Sequence, residues 1–319
     1  GDEIIVTPRT YVSTVLCIIN IGAKPIFADV DDNSGNITSN SIKECISKKT
    51  KAIICVHIGG FPCEMDPIVR LSKKNKVPLI EDCSQVHGGK YKNKSLGSFG
   101  DIGTWSFCQD KIISTGGEGG MITTNKKKLW KKMWSYKDHG KNFNKVYKKN
   151  NSIGFKWLHD FNGSNYRMTE FQATIGIIQL KKLNNWNLKR NNNSKKIINI
   201  CEKFSQSLRV TNVPKHINHA WYRCYVYVIQ SGLKPKWNRN RIMFEINKLS
   251  IPCQVGTCPE VYKERIFKKN NIQPKKKLKN IEDLSKSSLA FFVHPNLTIK
   301  EINNTCKAIN SVMMRASIQ

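Results

Sequence analysis

Residues 105–120 read WSFCQDKIISTGGEGG, a stretch that joins an apolar strand to a lysine and then to four glycines. The strand-like part runs from Gly103 to Cys108. The glycines permit backbone conformations that are closed to other residues. A lysine held between these two parts has a fixed position, which favours a covalent catalytic role for Lys111. The alternative is a solvated loop lysine, since the chain contains many others.

Short apolar strands alternate with helices in the part of the chain before this stretch. The pattern predicts strands at 2–7, 23–30, 51–57 and 77–82, with helices at 12–21, 38–47 and 66–75 between them. Apolar strands joined in this way indicate a parallel sheet that is covered on both faces. Ligands of such sheets bind beyond the carboxyl ends of the strands. His57, Asp82 and the residues after Phe107 all fall at those ends.

After residue 124 the pattern changes to longer helices and one alternating strand. We predict helices at 126–137, 168–184, 239–249 and 299–314, a further helix after Trp186, an irregular surface loop at 141–162 and a strand at 221–229. The predicted fold class is therefore α/β. Residues 1–184 form a large domain with a mostly parallel sheet, and residues 185–319 form a small α+β domain.

The net charge of +30 raises the hypothesis of a basic nucleic-acid-binding protein. That charge comes from 43 lysines and only 10 arginines, and the lysines are dispersed along the chain. Bidentate recognition of bases and phosphates favours arginine, so an anionic small molecule is the better predicted partner. No apolar run approaches the roughly 20 residues that a membrane span needs.

The eleven cysteines form no CxxC pair and show no zinc-ligand spacing with histidine. Several of them, such as Cys17, Cys55 and Cys108, lie inside apolar runs. They are typical of small buried side chains in a reducing compartment. We therefore predict a cytoplasmic protein without a metal site.

Asp82 ends a predicted strand of buried character, where a carboxylate is costly unless a cation pairs with it. The alternative is that Asp82 caps a following helix. Asp82 and Lys111 lie on consecutive predicted strands, both near the carboxyl edge of one sheet. Pyridoxal phosphate is a cofactor that needs a Schiff-base lysine and an anionic partner for a protonated ring nitrogen.

The chain resembles the DegT/DnrJ/EryC1/StrS family of sugar aminotransferases, which depend on pyridoxal 5′-phosphate. The resemblance rests on segments that come in the family's order: GDEIIV at 1–6, GAKP at 22–25, EDCSQVHG at 81–88, GSFGD at 97–101, the stretch at 105–120, NYRMTE at 165–170 and FVHPNLT at 292–298. These segments cover nearly the whole chain. The resemblance implies an aspartate-aminotransferase-like fold, which is fold type I of the pyridoxal-phosphate enzymes, and a homodimer.

The resemblance also implies roles for six residues of this sequence. Lys111 matches the Schiff-base lysine, Asp82 the partner of the ring nitrogen, Gln85 a polar residue near the ring, Tyr11 the aromatic residue stacked on the ring, Ser106 a phosphate-binding hydroxyl and Asn165 an amide that reaches the phosphate of the neighbouring subunit. A core tyrosine is the alternative for Tyr11. For four histidines at family-like positions or in short turns we favour structural roles: His57, His87, His139 and His294.

The implied reaction moves an amino group from L-glutamate to a 3- or 4-keto-deoxyhexose that is linked to UDP or dTDP, for polysaccharide or lipopolysaccharide synthesis. Lys111 argues against a related branch of the family that eliminates a sugar hydroxyl and has histidine at that position. The expected partners are a nucleotide-linked keto sugar, L-glutamate and a second copy of the chain with which active sites are shared.

Two departures from the family pattern qualify these expectations. Residue 1 aligns near the family's second strand, so we expect that the chain lacks an N-terminal segment which grips the cofactor phosphate. A truncated, inactive or regulatory relative is therefore the alternative function. The segment Ile251–Glu260 also differs from the commoner family version, and this difference leaves the identity of the sugar open.

Overall fold

The structure is a computed structural model that describes residues 1–147 and 154–318. Thirteen strands lie in this part of the chain: β1 (Glu3–Val6), β2 (Lys24–Phe27), β3 (Thr50–Val56), β4 (Leu79–Asp82), β5 (Lys90–Tyr91), β6 (Lys94–Ser95), β7 (Ile102–Ser106), β8 (Gly120–Thr123), β9 (Leu208–Val210), β10 (Ile217–Asn218), β11 (Cys224–Val228), β12 (Cys253–Gln254) and β13 (Ser288–Phe291).

Ten α-helices connect or cover these strands in the same part of the chain. They are α1 (Val12–Asn20), α2 (Ser39–Lys43), α3 (Met65–Asn75), α4 (Lys127–Lys137), α5 (Phe143–Tyr147), α6 (Glu170–Glu202), α7 (Arg239–Lys248), α8 (Arg265–Lys269), α9 (Lys279–Ser287) and α10 (Ile299–Ala316). Across the described residues, no helix combines the length and the apolar character that a membrane crossing requires.

The main sheet has six strands in the order β2-β1-β3-β4-β7-β8. Five of them are parallel, and β8 joins β7 antiparallel at one edge. In β1 and β3, alternate residues enter two separate cores. Ile5 and Ile53 face the core that contains α3, whereas Ile4 and Ile54 face the core that contains α1. The predicted α/β class with a mostly parallel sheet is confirmed.

A second, antiparallel sheet has the order β12-β13-β11-β9. Its central strand β11 is buried on both faces. Cys224 and Val226 pack with α6, α7 and α10, whereas Tyr225 and Tyr227 join the core that contains α1. The strand predicted at 221–229 is therefore present as Cys224–Val228, and its tyrosine face is buried in the core that contains α1.

The prediction of two helices around Trp186 is wrong, because α6 is one continuous helix of 33 residues. It begins with a capping box in which Thr169 and Gln172 satisfy each other's backbone N–H groups. No glycine or proline occurs between Gly176 and the end of the helix, so nothing in the chain interrupts it. The domain division predicted at residues 184 and 185 falls inside α6 and stays a prediction.

The loop predicted at 141–162 contains the short helix α5. This helix packs the aromatic side chain of Phe143 against Trp130 and Trp134 of α4. Residues 148–153 of that predicted loop lie outside the described residues. Three short strands that were not predicted, β5, β6 and β10, form a small antiparallel sheet.

The buried carboxylate of Glu81 connects β4 to the loop that leads into β7. Its Oε1 accepts hydrogen bonds from the backbone N–H groups of Phe99 and Gly100 at 2.8 and 2.7 Å. Its Oε2 accepts from the N–H of Gly97 at 2.8 Å and from His57 Nε2 at 3.4 Å. Burial opposes ionisation of Glu81, but these hydrogen bonds lower the pKa of the carboxyl group overall.

We expect Glu81→Gln to destabilise the fold by about 2–4 kcal/mol, because an amide directs N–H donors at backbone N–H groups that then stay unsatisfied. Urea unfolding monitored by circular dichroism measures this change in the free energy of unfolding. The control is Glu202→Gln at the exposed end of α6, which should shift that free energy by less than about 0.5 kcal/mol. Equal stability of the two variants would contradict the anchoring role of Glu81.

Candidate active site

Four predicted site residues lie at or just beyond the carboxyl ends of three parallel strands. Tyr11 follows β1 and begins α1, Asp82 is the last residue of β4, and Ser106 is the last residue of β7. Strands β4 and β7 are neighbours, with Asp82 opposite Thr104. Lys111 lies five residues after the end of β7, so the sheet topology brings the predicted carboxylate and the predicted lysine to the same edge.

The Asp82 carboxylate is oriented by hydrogen bonds from two elements. Thr14 of α1 donates its hydroxyl to Oδ2 at 2.9 Å. The backbone N–H and the hydroxyl of Ser84 donate to Oδ1 at 3.1 and 2.5 Å. The structure has a turn after Asp82 instead of a helix, so the helix-capping alternative does not apply. Asp82 is half-buried, and its carboxyl group has a fixed position at the strand end.

Lys111 is held between an aspartate and a tyrosine that the sequence analysis did not select. Its side chain is only 16% exposed, and Nζ lies 3.3 Å from Asp110 Oδ1. The Tyr222 hydroxyl donates to Asp110 Oδ2 at 2.6 Å, and Lys111 Nζ lies 5.4 Å from the centre of the Tyr222 ring. The solvated-loop alternative for Lys111 therefore does not describe its surroundings.

Burial, hydrogen bonding and charge act together on Asp110 and Tyr222. Burial opposes ionisation of Asp110, but the hydrogen bond from Tyr222 and the charge of Lys111 lower its pKa overall. Burial raises the pKa of Tyr222 well above its usual range, and the hydrogen bond to Asp110 adds to this effect. Asp110 is thus a carboxylate and Tyr222 a neutral hydroxyl at physiological pH. Asp110 is next to Lys111 in the sequence, whereas its partner Tyr222 lies 112 residues away and could not be identified from the sequence.

The loop that carries Lys111 is closed at its base by backbone hydrogen bonds. Phe107 N–H donates to Gly119 O at 2.8 Å, and Thr115 N–H donates to Phe107 O at 3.2 Å. A Cβ atom on Gly119 would lie 2.1 Å from the Thr115 hydroxyl, so only glycine allows this close approach. Gly116 adopts a φ of +85°, which side chains rarely tolerate. The glycines of the stretch at 105–120 therefore set the shape of the loop.

Gln85 is buried and connects two turns near the sheet edge. Its Oε1 accepts from Gly59 N–H at 2.7 Å, and its Nε2 donates to Thr257 Oγ1 at 3.4 Å. Tyr225 hydroxyl accepts from Thr257 N–H at 2.8 Å and fixes the second turn. The segment Ile251–Glu260, whose sequence departs from the family pattern, therefore contacts a predicted site residue.

The remaining three predicted residues differ in their surroundings. Ser106 Oγ accepts a hydrogen bond from Cys108 N–H at 3.3 Å, which leaves its own proton free to donate. Tyr11 is 66% exposed at the sheet edge, so it is not a core tyrosine. Asn165 is exposed and accepts from Arg167 N–H at 3.3 Å. The roles of all three stay predictions.

His57 is fully buried, and its surroundings identify its tautomer. Nδ1 accepts from Cys63 N–H at 3.0 Å, so Nε2 carries the proton and donates to Glu81. His57, Glu81 and Cys83 bring possible ligand atoms within 4.8 Å of one another. The oxygens of Glu81 are nevertheless occupied by four hydrogen bonds. We therefore assign this cluster a structural role instead of a metal site.

The donor set at the sheet edge fits pyridoxal phosphate. The half-buried, oriented carboxylate of Asp82 suits a protonated ring nitrogen, and the enclosed amine of Lys111 suits a Schiff base. The free hydroxyl proton of Ser106 suits a phosphate oxygen, and the exposed ring of Tyr11 is open to stacking on one side. Each of these side chains therefore keeps the carboxylate, amine, hydroxyl proton or ring face that the cofactor would contact.

Comparisons with known proteins show which family the chain belongs to. The sequence model of the DegT/DnrJ/EryC1/StrS aminotransferase family matches residues 1–310. The GDP-perosamine synthase of Escherichia coli O157:H7 is 34% identical over 314 residues, which are 97% of this chain and 79% of that protein. A dTDP-3-amino-3,6-dideoxy-alpha-D-galactopyranose transaminase of Aneurinibacillus thermoaerophilus is 36% identical over 190 residues, 60% of this chain and 49% of that protein.

Among solved structures, the aminotransferase from Psychrobacter cryohalolentis is 47% identical to this chain with a TM-score of 0.96. The match covers 98% of this chain and 81% of that one. This similarity confirms the predicted aspartate-aminotransferase-like fold.

His87 gives a test of the buried surroundings of this site. The ring packs between Trp105 and Phe107, and neither ring nitrogen has a hydrogen-bond partner among the described residues. Burial lowers the pKa of His87 to about 4, and the charges of Lys111 and Arg190 add to this effect. The unfolded chain, with a histidine pKa of about 6.5, therefore binds the extra proton first as pH falls.

We expect the stability that neutral His87 contributes to be present above pH 6.5 and to be lost as pH falls from 6.5 towards 4. Because the pKa of His87 differs between the folded and the unfolded chain, the free energy of unfolding should fall by about 2 kcal/mol between pH 7 and pH 5. Urea unfolding at both pH values measures the free energy of unfolding. Between pH 7 and pH 5 this free energy should fall by about 2 kcal/mol less in His87→Leu than in the wild type. The same acid sensitivity in both proteins would contradict the assignment.

Proposed function

Because the chain belongs to the DegT/DnrJ/EryC1/StrS aminotransferase family, whose members use pyridoxal 5′-phosphate, we propose that it transfers an amino group to a nucleotide-linked keto sugar. One observation carries the proposal. The sheet edge combines an oriented carboxylate, Asp82, with an enclosed amine, Lys111. These are the two charged groups that this cofactor chemistry requires.

Lys111 is the group that moves protons in the proposed reaction. Its Nζ takes a proton from the α-carbon of the amino donor and later returns a proton at the sugar carbon that receives the amine. The low exposure of the side chain keeps water away from this transfer, and Asp110 holds the amine in place when it is free. Asp82 keeps a proton on the ring nitrogen of the cofactor.

Bound at this edge, pyridoxal phosphate supplies a conjugated ring that takes up the electron pair left at the substrate carbon. Tyr11 would cover one face of that ring, Gln85 would lie beside it and Ser106 would donate to the phosphate. Asn165 would reach the phosphate of the neighbouring subunit. The roles of Tyr11, Ser106 and Asn165 rest on the family resemblance together with the exposure or free hydrogen-bonding capacity of these side chains. The role of Gln85, which is buried with both ends of its amide hydrogen-bonded, rests on the resemblance alone.

We propose L-glutamate as the amino donor and a keto-deoxy sugar as the acceptor. The relatives named above make or aminate sugars that are linked to GDP or dTDP, which supports a nucleotide-linked acceptor. The net charge of +30 suits a substrate with a diphosphate group. Thr257 contacts Gln85, so the segment Ile251–Glu260 is placed to influence which sugar is accepted.

We propose that two copies of the chain pair through the segment 155–178, which leads into α6 and carries a series of exposed apolar side chains. We call these side chains the aromatic face; they are at least 49% exposed and comprise Phe155, Trp157, Phe161, Tyr166, Phe171 and Ile178. Large exposed apolar patches of this kind mark interaction sites. Asn165 lies within the same segment, which supports a cofactor site shared between subunits. The eleven free cysteines support the proposed cytoplasmic location.

The first test uses the visible absorbance of lysine-bound cofactor. We expect the wild type to show it, Lys111→Ala to lose it, and the rate of glutamate-dependent amination of GDP-, dTDP- and UDP-linked keto sugars to fall at least about 1,000-fold in that variant. Mass spectrometry of the sugar product measures the rate. Lys132→Ala, at an exposed position on α4, is the matched control.

Absence of the absorbance in the wild type, or its persistence in Lys111→Ala, would contradict the cofactor site. Bound cofactor without any aminated product would instead favour an inactive or regulatory relative.

The second test concerns the aromatic face. We expect the wild type to elute in light-scattering chromatography at twice the chain mass of 36.5 kDa. Phe171→Glu places a charge on the aromatic face and should shift the protein to the monomer mass, because burying an unpaired carboxylate is costly. Phe244→Glu, at a similarly exposed position on α7, should leave the dimer intact. Dissociation by both variants, or by neither, would argue against this interface.

A further inference from the structure

Two arginines and a histidine lie close together near Lys111 without a carboxylate among them. Arg190 of α6 is 1% exposed, and its NH1 donates only to the carbonyl of Trp221 at 3.3 Å. Its Nε has no partner in the described part of the chain. A buried guanidinium normally pairs with an anion, so the surroundings of Arg190 are short of negative charge.

Arg223 is the half-buried member of this cluster. Its guanidinium stacks on the rings of Tyr222 and Phe292, with distances of 4.2 and 4.4 Å to the ring centres. Its NH1 donates to Tyr222 O at 3.1 Å. None of the ion pairs found within residues 1–147 and 154–318 involves Arg223. Stacking fixes the plane of the fork and leaves several of its five N–H donors unused.

The arginine charges lower the pKa values of their neighbours in this cluster. Burial lowers the pKa of Arg190 to about 10, and the charge of Arg223 adds to the effect. Burial also lowers the pKa of His294, and the charges of Arg190 and Arg223 lower it further. An anion bound among these groups would reduce the electrostatic repulsion that contributes to both lowered pKa values.

The Tyr222 ring fixes the position of this cluster relative to the lysine. Arg223 lies 4.2 Å from the ring centre, and Lys111 Nζ lies 5.4 Å from the same centre. Asp110 is the carboxylate that contacts Tyr222, and its two oxygens are occupied by Lys111 and Tyr222. Arg223 and Lys111 therefore lie beside the same aromatic ring, so the unmatched positive charge is near the Lys111 amine.

We propose that Arg223 binds a carboxylate of the dicarboxylic amino donor, with Arg190 supporting the positive potential behind it. The inference rests on the proposed aminotransferase function and adds the subsite that recognises the donor. A planar guanidinium held by two rings matches a carboxylate through two parallel hydrogen bonds. The diphosphate of the nucleotide sugar is the other anion that could use such a site, and the experiment separates the two.

The experiment measures binding of two unreactive anions, glutarate and guanosine diphosphate, to the cofactor-loaded protein by calorimetry. We expect Arg223→Gln to weaken glutarate binding about 10- to 100-fold, because charge-assisted hydrogen bonds are lost. Arg223→Lys should restore part of the affinity, since it keeps the charge but not the fork. Guanosine diphosphate should bind all three proteins within about twofold. Arg241→Gln is the matched control, because Arg241 also stacks on a ring, that of Trp237 at 4.4 Å.

Steady-state kinetics give a second readout. Arg223→Gln should raise KM for L-glutamate while KM for the keto sugar is unchanged. Unchanged glutarate affinity in Arg223→Gln would overturn the proposal, and loss of guanosine diphosphate binding instead would assign the subsite to the nucleotide. Cofactor absorbance, measured on the same samples, shows that the variants are folded. A failure of the aminotransferase function itself would appear separately, as absence of that absorbance in the wild type.

Discussion

The buried carboxylate of Glu81 is the interaction on which the geometry of the site depends. It receives three backbone N–H groups from the loop between β6 and β7, together with the Nε2 proton of His57. An ion can remain at this depth only because all of these donors converge on it. Successive residues of a strand point to opposite faces. The strand that directs Glu81 into one core therefore directs Asp82 towards α1 and the sheet edge.

The same arrangement determines where Lys111 can lie. The bonds of Glu81 fix the start of β7 beside β4, and the end of β7 begins the glycine-rich loop that carries the lysine. Residues from the distant end of the chain then complete the site. Tyr222 binds Asp110, Thr257 binds Gln85, and Arg223 stacks on the ring that Lys111 also faces. These contacts are possible because the tyrosine face of β11 is buried in the core of the main sheet.

Much of this organisation could be predicted from the sequence. Short apolar strands alternating with helices predict the parallel sheet, and Asp82 and Lys111 follow from their positions at strand ends. Glu81 was part of the same motif but was not selected, because a glutamate beside an aspartate gives no sign of which one is buried. The division of α6 into two helices was wrong because its polar middle resembles a loop, although the chain contains nothing there that stops a helix.

The sequence by itself therefore determined the fold class, the family resemblance and the choice of Lys111 and Asp82 as predicted site residues. These features are recorded in local periodicity and in short motifs whose residues are neighbours in the chain. Only the tertiary structure decided which groups surround that lysine. Asp110 and Tyr222 are separated by 112 residues, and Arg190 and Arg223 lie on different elements. Contacts at such separations depend on how strands and helices pack, and no local pattern in the chain encodes that packing directly.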